Sequence, residues 1–245
     1  MKQLYEIYTD EDLVVWSTLF NRQLDNLNNK ASKDYLFALE EMRSVLNADK
    51  LPNFEEINGW FSSKTGWQIE CVPGLIPVDQ FFELLAEKKF PSSTWLRSME
   101  KLDYLEEPDM FHDVFGHVPL LSNSEYSEFI HQFGILGKSF ISNQEKLLQL
   151  QRLYWFTIEF GLIMEGTKLR IYGAGILSSF GESNSSLYSN EIERLDFDLM
   201  TILDTNFCTS EMQTNYFIID SLMSLKNSIN TLTNKWQINE LECFR

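Results

Sequence analysis

From Leu147 to Met164 the chain reads Leu-Leu-Gln-Leu-Gln-Arg-Leu-Tyr-Trp-Phe-Thr-Ile-Glu-Phe-Gly-Leu-Ile-Met, and Glu159 is the only acid in it. Trp155, Phe156, Ile158, Phe160, Leu162 and Ile163 surround this carboxylate in sequence, so it meets apolar neighbours whichever way it points. A buried, isolated carboxylate is costly unless a cation or hydrogen bonds compensate it. Any fold of this chain must therefore expose Glu159, pair it with an arginine such as Arg152 or Arg170, or set something else positive beside it.

The histidines narrow the choice. There are three, and two fall in His112-Asp-Val-Phe-Gly-His117. Neutral imidazole suits zinc, iron, copper and nickel. Five residues of regular helix turn by about 500°, which leaves the two rings about 140° apart; metal sites on regular helices use i, i+4 instead. His112 and His117 can share an ion only where the helix is distorted or where one pocket admits both rings, and Gly116 makes irregularity there plausible. Two histidines and a distant carboxylate form the facial triad of mononuclear non-haem iron. They are also a catalytic zinc set, so ligand type alone leaves the metal open.

Other candidates carry a plain reading beside the functional one. Arg97 can clamp a substrate carboxylate through a two-pronged hydrogen bond, or simply lie at the surface. Asp109 and Asp113 flank His112; either can orient a ring nitrogen, or be solvated. His131, Phe81 and Phe82 read as packing residues. Gly173 to Gly181 lacks the spacing of a phosphate-binding loop.

Composition excludes several classes. The 245 residues are 44% hydrophobic, with nineteen Phe, nine Tyr and six Trp, which rules out disorder and fits one domain over 1–245. A net charge of −16 disfavours nucleic acid and anionic membrane surfaces as partners. The three cysteines are scattered, which argues against a disulfide framework or thiolate zinc site. With no leader-like start and no apolar run of membrane-spanning length, the expectation is a soluble cytoplasmic protein.

Helical spacing of apolar residues predicts helices over 10–27, 33–46, 52–61, 78–89, 126–136, 145–164, 195–203 and 216–232. Strand signals are confined to 67–72 and 169–172, and the polar stretch 183–190 reads as a loop. The fold class expected is mainly α, with minor short β-strands.

Three blocks then carry a resemblance: Tyr104-Leu-Glu-Glu-Pro-Asp-Met-Phe-His112-Asp-Val-Phe-Gly-His117-Val-Pro-Leu-Leu121, Tyr154-Trp-Phe-Thr-Ile-Glu159-Phe-Gly-Leu162, and Tyr172-Gly-Ala-Gly-Ile-Leu-Ser-Ser-Phe-Gly-Glu182. They are similar to the pterin-dependent aromatic amino acid hydroxylases in their short bacterial form, and weaker similarity runs collinearly through nearly the whole chain. The resemblance implies a helical, basket-like catalytic domain holding one Fe(II). It implies that His112, His117 and Glu159 are the metal ligands and that Asp109 lies beside the first of them. It places Gly74, Leu75, Ile76, Phe81 and Asp113 at a tetrahydrobiopterin or related tetrahydropterin. Arg97, Trp155, Gly175 and Ser178 fall at the substrate.

The implied reaction converts L-phenylalanine to L-tyrosine with O2; the Trp155 position disfavours tryptophan, for which related chains resemble Phe-Phe-Thr there. Tyrosine or tryptophan hydroxylation and a His2Glu zinc hydrolase stand as alternatives. Neither the regulatory module nor the C-terminal tetramerisation extension of animal relatives is expected, so a monomer is. Pro91 departs from a histidine in those relatives.

Overall fold

Side-chain caps explain where most helices begin. In the computed structural model, which describes residues 1–103, 105 and 107–243 with the side chains of 237–243 excepted, α1 (Asp10–Leu27) starts at Thr9. Thr9 accepts from the Asp12 backbone N–H while the Asp12 carboxylate accepts from that of Thr9, and three acids occupy the positive end of the helix. Its buried stripe is Val15, Trp16, Leu19, Phe20, Gln23 and Leu27. Ser32 caps α2 (Lys33–Glu41) and Asn53 caps α3 (Phe54–Phe61), each accepting first-turn backbone N–H on its side-chain oxygen.

A small parallel pair follows, β1 (Gln68–Cys71) beside β2 (Lys89–Ser92), joined through α4 (Val78–Ala86). Then come α5 (Ser124–Ser139) and α6 (Gln144–Tyr154), begun by Asn123 and Asn143. The C-terminal part alternates β3 (Leu162–Glu165), β4 (Lys168–Ile171), α7 (Ala174–Leu177), α8 (Phe180–Tyr188), β5 (Glu193–Asp196), α9 (Leu199–Asp204), β6 (Asn215–Ile219) and α10 (Leu222–Cys243). Its four strands form one sheet in the order β4-β3-β6-β5. The β3–β4 hairpin is antiparallel, and β3–β6 and β5–β6 are parallel.

The chain is thus mainly helical with short strands, as expected, but several boundaries differ. The helix expected to run to Met164 stops being α-helical at Tyr154, and Leu162–Glu165 is a strand. Residues expected to open the 195–203 and 216–232 helices are instead in β5 and β6. The helix expected over 33–46 ends at Glu41, and the one over 78–89 gives way to β2. The expected loop 183–190 lies largely within α8, where Ser179 caps the helix and Ser183 and Ser186 are buried. Tyr104 and Glu106 of the first motif lie outside the described residues.

Two stretches depart from the α-helix in the direction the site requires. Residues His112–His117 and Trp155–Glu159 are both π-helical turns, in which the backbone closes i to i+5. A widened turn brings residues five apart onto one side, which is the distortion that His112 and His117 need. Pro119 has no N–H and would crowd the carbonyl four residues back in a regular helix. That carbonyl, of Phe115, accepts instead from the Tyr35 hydroxyl at 2.8 Å. Gly116 allows α7 to lie against the turn: a Cβ there would sit 2.8 Å from the Ala174 carbonyl oxygen.

Candidate metal centre

The two π-turns and α7 meet around three side chains. His112 Nε2 lies 3.2 Å from His117 Nε2, Glu159 Oε1 is 3.1 Å from His117 Nε2, and Glu159 Oε2 is 3.6 Å from His112 Nε2. Their ligand atoms all fall within 4.8 Å of one another, and among the described residues no other group of three His, Cys, Asp or Glu does so. The partners that Glu159 demanded are this pair of imidazoles and not an arginine such as Arg152, which is engaged elsewhere, by the Leu203 carbonyl and Asn206.

The hydrogen bonds behind His112 fix its tautomer. Ser178 Oγ donates its one proton to the Ala174 carbonyl at 2.8 Å, so at His112 Nδ1, 2.9 Å away, it can only accept. His112 therefore carries its proton on Nδ1 and turns the bare lone pair of Nε2 inward. Burial, opposed by Glu159 and reinforced by His117, lowers its pKa from 6.5 to about 4. Burial acts to raise the pKa of Glu159, but His117, His112 and the Tyr154 hydroxyl outweigh it and bring the carboxyl down to about 2.

A neutral imidazole, a second imidazole and an ionised carboxylate converge on one point. That is the donor chemistry of a divalent transition-metal ion with positions left open. Ser178, placed by resemblance at the substrate, thus also meets the nitrogen that Asp109 or Asp113 was expected to orient. We predict that Ser178→Ala lowers metal affinity about ten- to a hundredfold in a chelator competition, because the ring loses its tautomer lock. Unchanged affinity would remove that role.

Asp109 is fully buried and does other work. Its carboxylate takes a two-pronged bond from Arg97, 2.8 Å from Nε and 2.9 Å from Nη2, and also accepts the backbone N–H groups of Arg97 and His112 at 3.1 Å. Arg97, with 9% of its side chain exposed, is thereby tied to the His112 turn rather than lying at the surface.

Asp113 accepts from the Ser93 backbone N–H at 2.8 Å, yet burial pushes its carboxyl up from 3.8 to about 7. A raised carboxyl favours folding below its unfolded value and loses that contribution as pH climbs through 7. Hence Asp113→Asn should gain on the parent as pH rises from 4 to 8, read from urea midpoints of the metal-free proteins. A gap that does not move with pH would contradict this.

Trp155 opens the second π-turn and Gly175 lies over its end. A Cβ on Gly175 would come within 3.2 Å of Glu159 Oε2 and 2.9 Å of the Phe160 ring, so a side chain there would push on the ligand. Phe81 packs edge-on against Tyr154, ring centroids 5.3 Å apart, and the Tyr154 ring faces His117 at 6.3 Å. Gly74, Leu75 and Ile76 form the loop leading into α4, which carries Phe81; Gly74 has φ +154°, and Leu75 is exposed.

Sequence reasoning gave no role to Tyr154 or to Phe90, whose ring lies 4.7 Å from that of His117. Tyr154 stood inside a quoted motif. Phe90 sent no signal, because its place depends on strand register. His131 Nε2–H donates to the Ala86 carbonyl at 3.1 Å, a packing role as expected.

A family model described as biopterin-dependent aromatic amino acid hydroxylase matches residues 3–240. The phenylalanine-4-hydroxylase of Chromobacterium violaceum is 44% identical over 225 residues, covering 92% of this chain and 75% of that protein. The corresponding protein of Pseudomonas aeruginosa is 42% identical over 218 residues, 89% of this chain and 81% of its own length. The crystal structure of the C. violaceum enzyme with bound oxidized Fe(III) superposes with a TM-score of 0.90 at 43% identity, covering 94% of this chain and 82% of that one. The same enzyme with iron(III) and 7,8-dihydrobiopterin gives 0.88 at 42% identity, covering 96% and 86%.

Proposed function

The chain belongs to the biopterin-dependent aromatic amino acid hydroxylases, and we infer that it converts L-phenylalanine to L-tyrosine with O2, a tetrahydropterin and one ferrous ion. The observation that carries this reading is the convergence on a single point of two imidazoles and one ionised carboxylate, His117 buried and the other two largely so. A benzene ring resists every nucleophile and base a protein can offer. Iron and reduced pterin, when bound, supply the O2-derived electrophile that side chains cannot.

The protein's own part is to hold, orient and keep dry. We assign His112, His117 and Glu159 as the iron ligands; together they bring one negative charge and leave coordination positions open. Phe81 offers a stacking face to the pterin, with the Gly74–Ile76 loop and Asp113 completing its contacts. Arg97 presents a guanidinium to the substrate carboxylate, held by Asp109 in a fixed relation to the His112 turn. Trp155, Gly175 and Ser178 shape the pocket for the aromatic ring. The buried apolar surroundings of Glu159 exclude water that would quench the oxidant.

A single catalytic domain and a monomeric working unit are part of the proposal. Among the described residues no helix is long and apolar enough to cross a membrane. With Cys71 and Cys208 both free, a cytoplasmic site of action is the finer reading.

The test is product identification by mass spectrometry. Iron-loaded protein with tetrahydropterin should make tyrosine from phenylalanine, in preference to hydroxylating tyrosine or tryptophan. No tyrosine from phenylalanine would overturn the assignment. Activity with zinc alone, indifferent to O2, would point to hydrolysis instead.

A further inference from the structure

Trp155 is held more closely than a pocket wall requires. Its indole N–H donates to Gln213 Oε1 at 2.8 Å, and its ring lies between Phe160, 4.6 Å away, and Phe207, stacked at 4.7 Å. Phe160 in turn touches the position of Gly175, beside Glu159. Gln213 comes from the segment between α9 and β6 and is 7% exposed.

An indole N–H can only donate, so the Gln213 carbonyl must face it and the amide NH2 must face away. The NH2 then donates to the Cys208 and Glu211 carbonyls, each at 3.0 Å, which fastens the exposed loop that carries Phe207. Behind it, the Gln213 backbone N–H donates to Glu182 Oε1 at 3.2 Å, and the Tyr216 hydroxyl donates to Glu182 Oε2. Every polar atom of the Gln213 side chain is used, and only one orientation of the amide satisfies them all.

We propose that Gln213 is a positioning residue for the aromatic substrate. It sets the Trp155 ring with one end of its amide and the Phe207 loop with the other, so that the wall beside Glu159 is closed in one arrangement. The inference rests on the hydroxylase reading and on Trp155 lining the substrate pocket. It goes further in making an amide that need not touch the substrate a determinant of how tightly that substrate is held.

The two ends of the amide can be separated. Gln213→Leu removes both sets of bonds. Gln213→Glu can still accept from the indole, but it turns oxygen toward the Cys208 and Glu211 carbonyls and so releases the loop. Each lost hydrogen bond should appear as roughly a two- to tenfold loss of substrate binding.

The experiment compares iron-loaded parent, Gln213→Leu, Gln213→Glu and Phe207→Leu. For each it measures KM and kcat with phenylalanine, KM for the pterin, and phenylalanine affinity by calorimetry. We expect KM and Kd for phenylalanine to rise in all three variants, most in Gln213→Leu, with kcat and the pterin KM within about twofold of the parent. Phe207→Leu, at a half-buried loop position, keeps the test open if a Gln213 variant folds poorly.

Variants that lose only thermal stability, with phenylalanine KM and Kd unchanged, would make Gln213 structural and overturn the proposal. A parent that makes no tyrosine would overturn the hydroxylase reading and the proposal with it, an outcome distinct from unchanged variants of an active parent.

Discussion

Replacing Glu159 with glutamine should cost the protein most of its iron and about a thousandfold in turnover, the equivalent of roughly 4 kcal/mol of lost stabilisation. The change is nearly isosteric, so the close fit against Gly175 survives. What disappears is the only negative charge in the donor set, and one carboxylate oxygen becomes an NH2, which has no lone pair to offer a metal ion. Metal analysis should find well under one iron per chain in a protein whose circular dichroism matches the parent. Full activity at stoichiometric iron would remove Glu159 from the ligand set.

Arg97→Ala should have two effects of different origin. Removing a guanidinium that meets the substrate carboxylate in ground and transition states alike raises KM more than it lowers kcat. The structure adds a larger consequence. Asp109 is fully buried and Arg97 is its charge partner, so alanine leaves an unpaired carboxylate in the interior, a loss of about 3–5 kcal/mol in stability.

Pairing Arg97→Met with Asp109→Leu should recover part of that stability, because no buried charge remains, while KM for phenylalanine stays raised. Urea denaturation and steady-state kinetics on the same three proteins separate the effects. An Arg97→Ala variant as stable as the parent would show that Asp109 does not depend on it.

The centre was unusually legible because its elements are anomalies. A lone acid in an apolar run must have a partner, and the histidine pair could serve only through a distorted helix; the π-turn at 112–117 supplies the distortion. Family resemblance then attached roles to Arg97, Phe81 and Trp155 that spacing alone left open. Most helices were legible from period, and their starts lie at Thr9, Ser32, Asn53, Asn123 and Asn143, which cap them.

Of the four-stranded sheet only β4 was legible, from the signal over 169–172, as β1 was from that over 67–72. Strand β3 and strand β6 lie inside it, and their short apolar runs, Leu-Ile-Met and Tyr-Phe-Ile-Ile, look the same in a buried strand as in a buried helix. Helix α8 misled in the opposite way, since its polar serines are buried against neighbours that no local pattern reveals. Gln213 escaped for the same reason: its meaning comes from Trp155, fifty-eight positions earlier in the chain.

One labelling experiment reaches the heart of the account. Iron-loaded protein given a tetrahydropterin, phenylalanine and 18O2 in ordinary water should yield tyrosine carrying a single 18O in its new hydroxyl group, and none when iron or pterin is withheld. Unlabelled tyrosine, its new oxygen taken from water, or label that appears equally without the metal, would mean that His112, His117 and Glu159 do not hold the ion at which oxygen is activated.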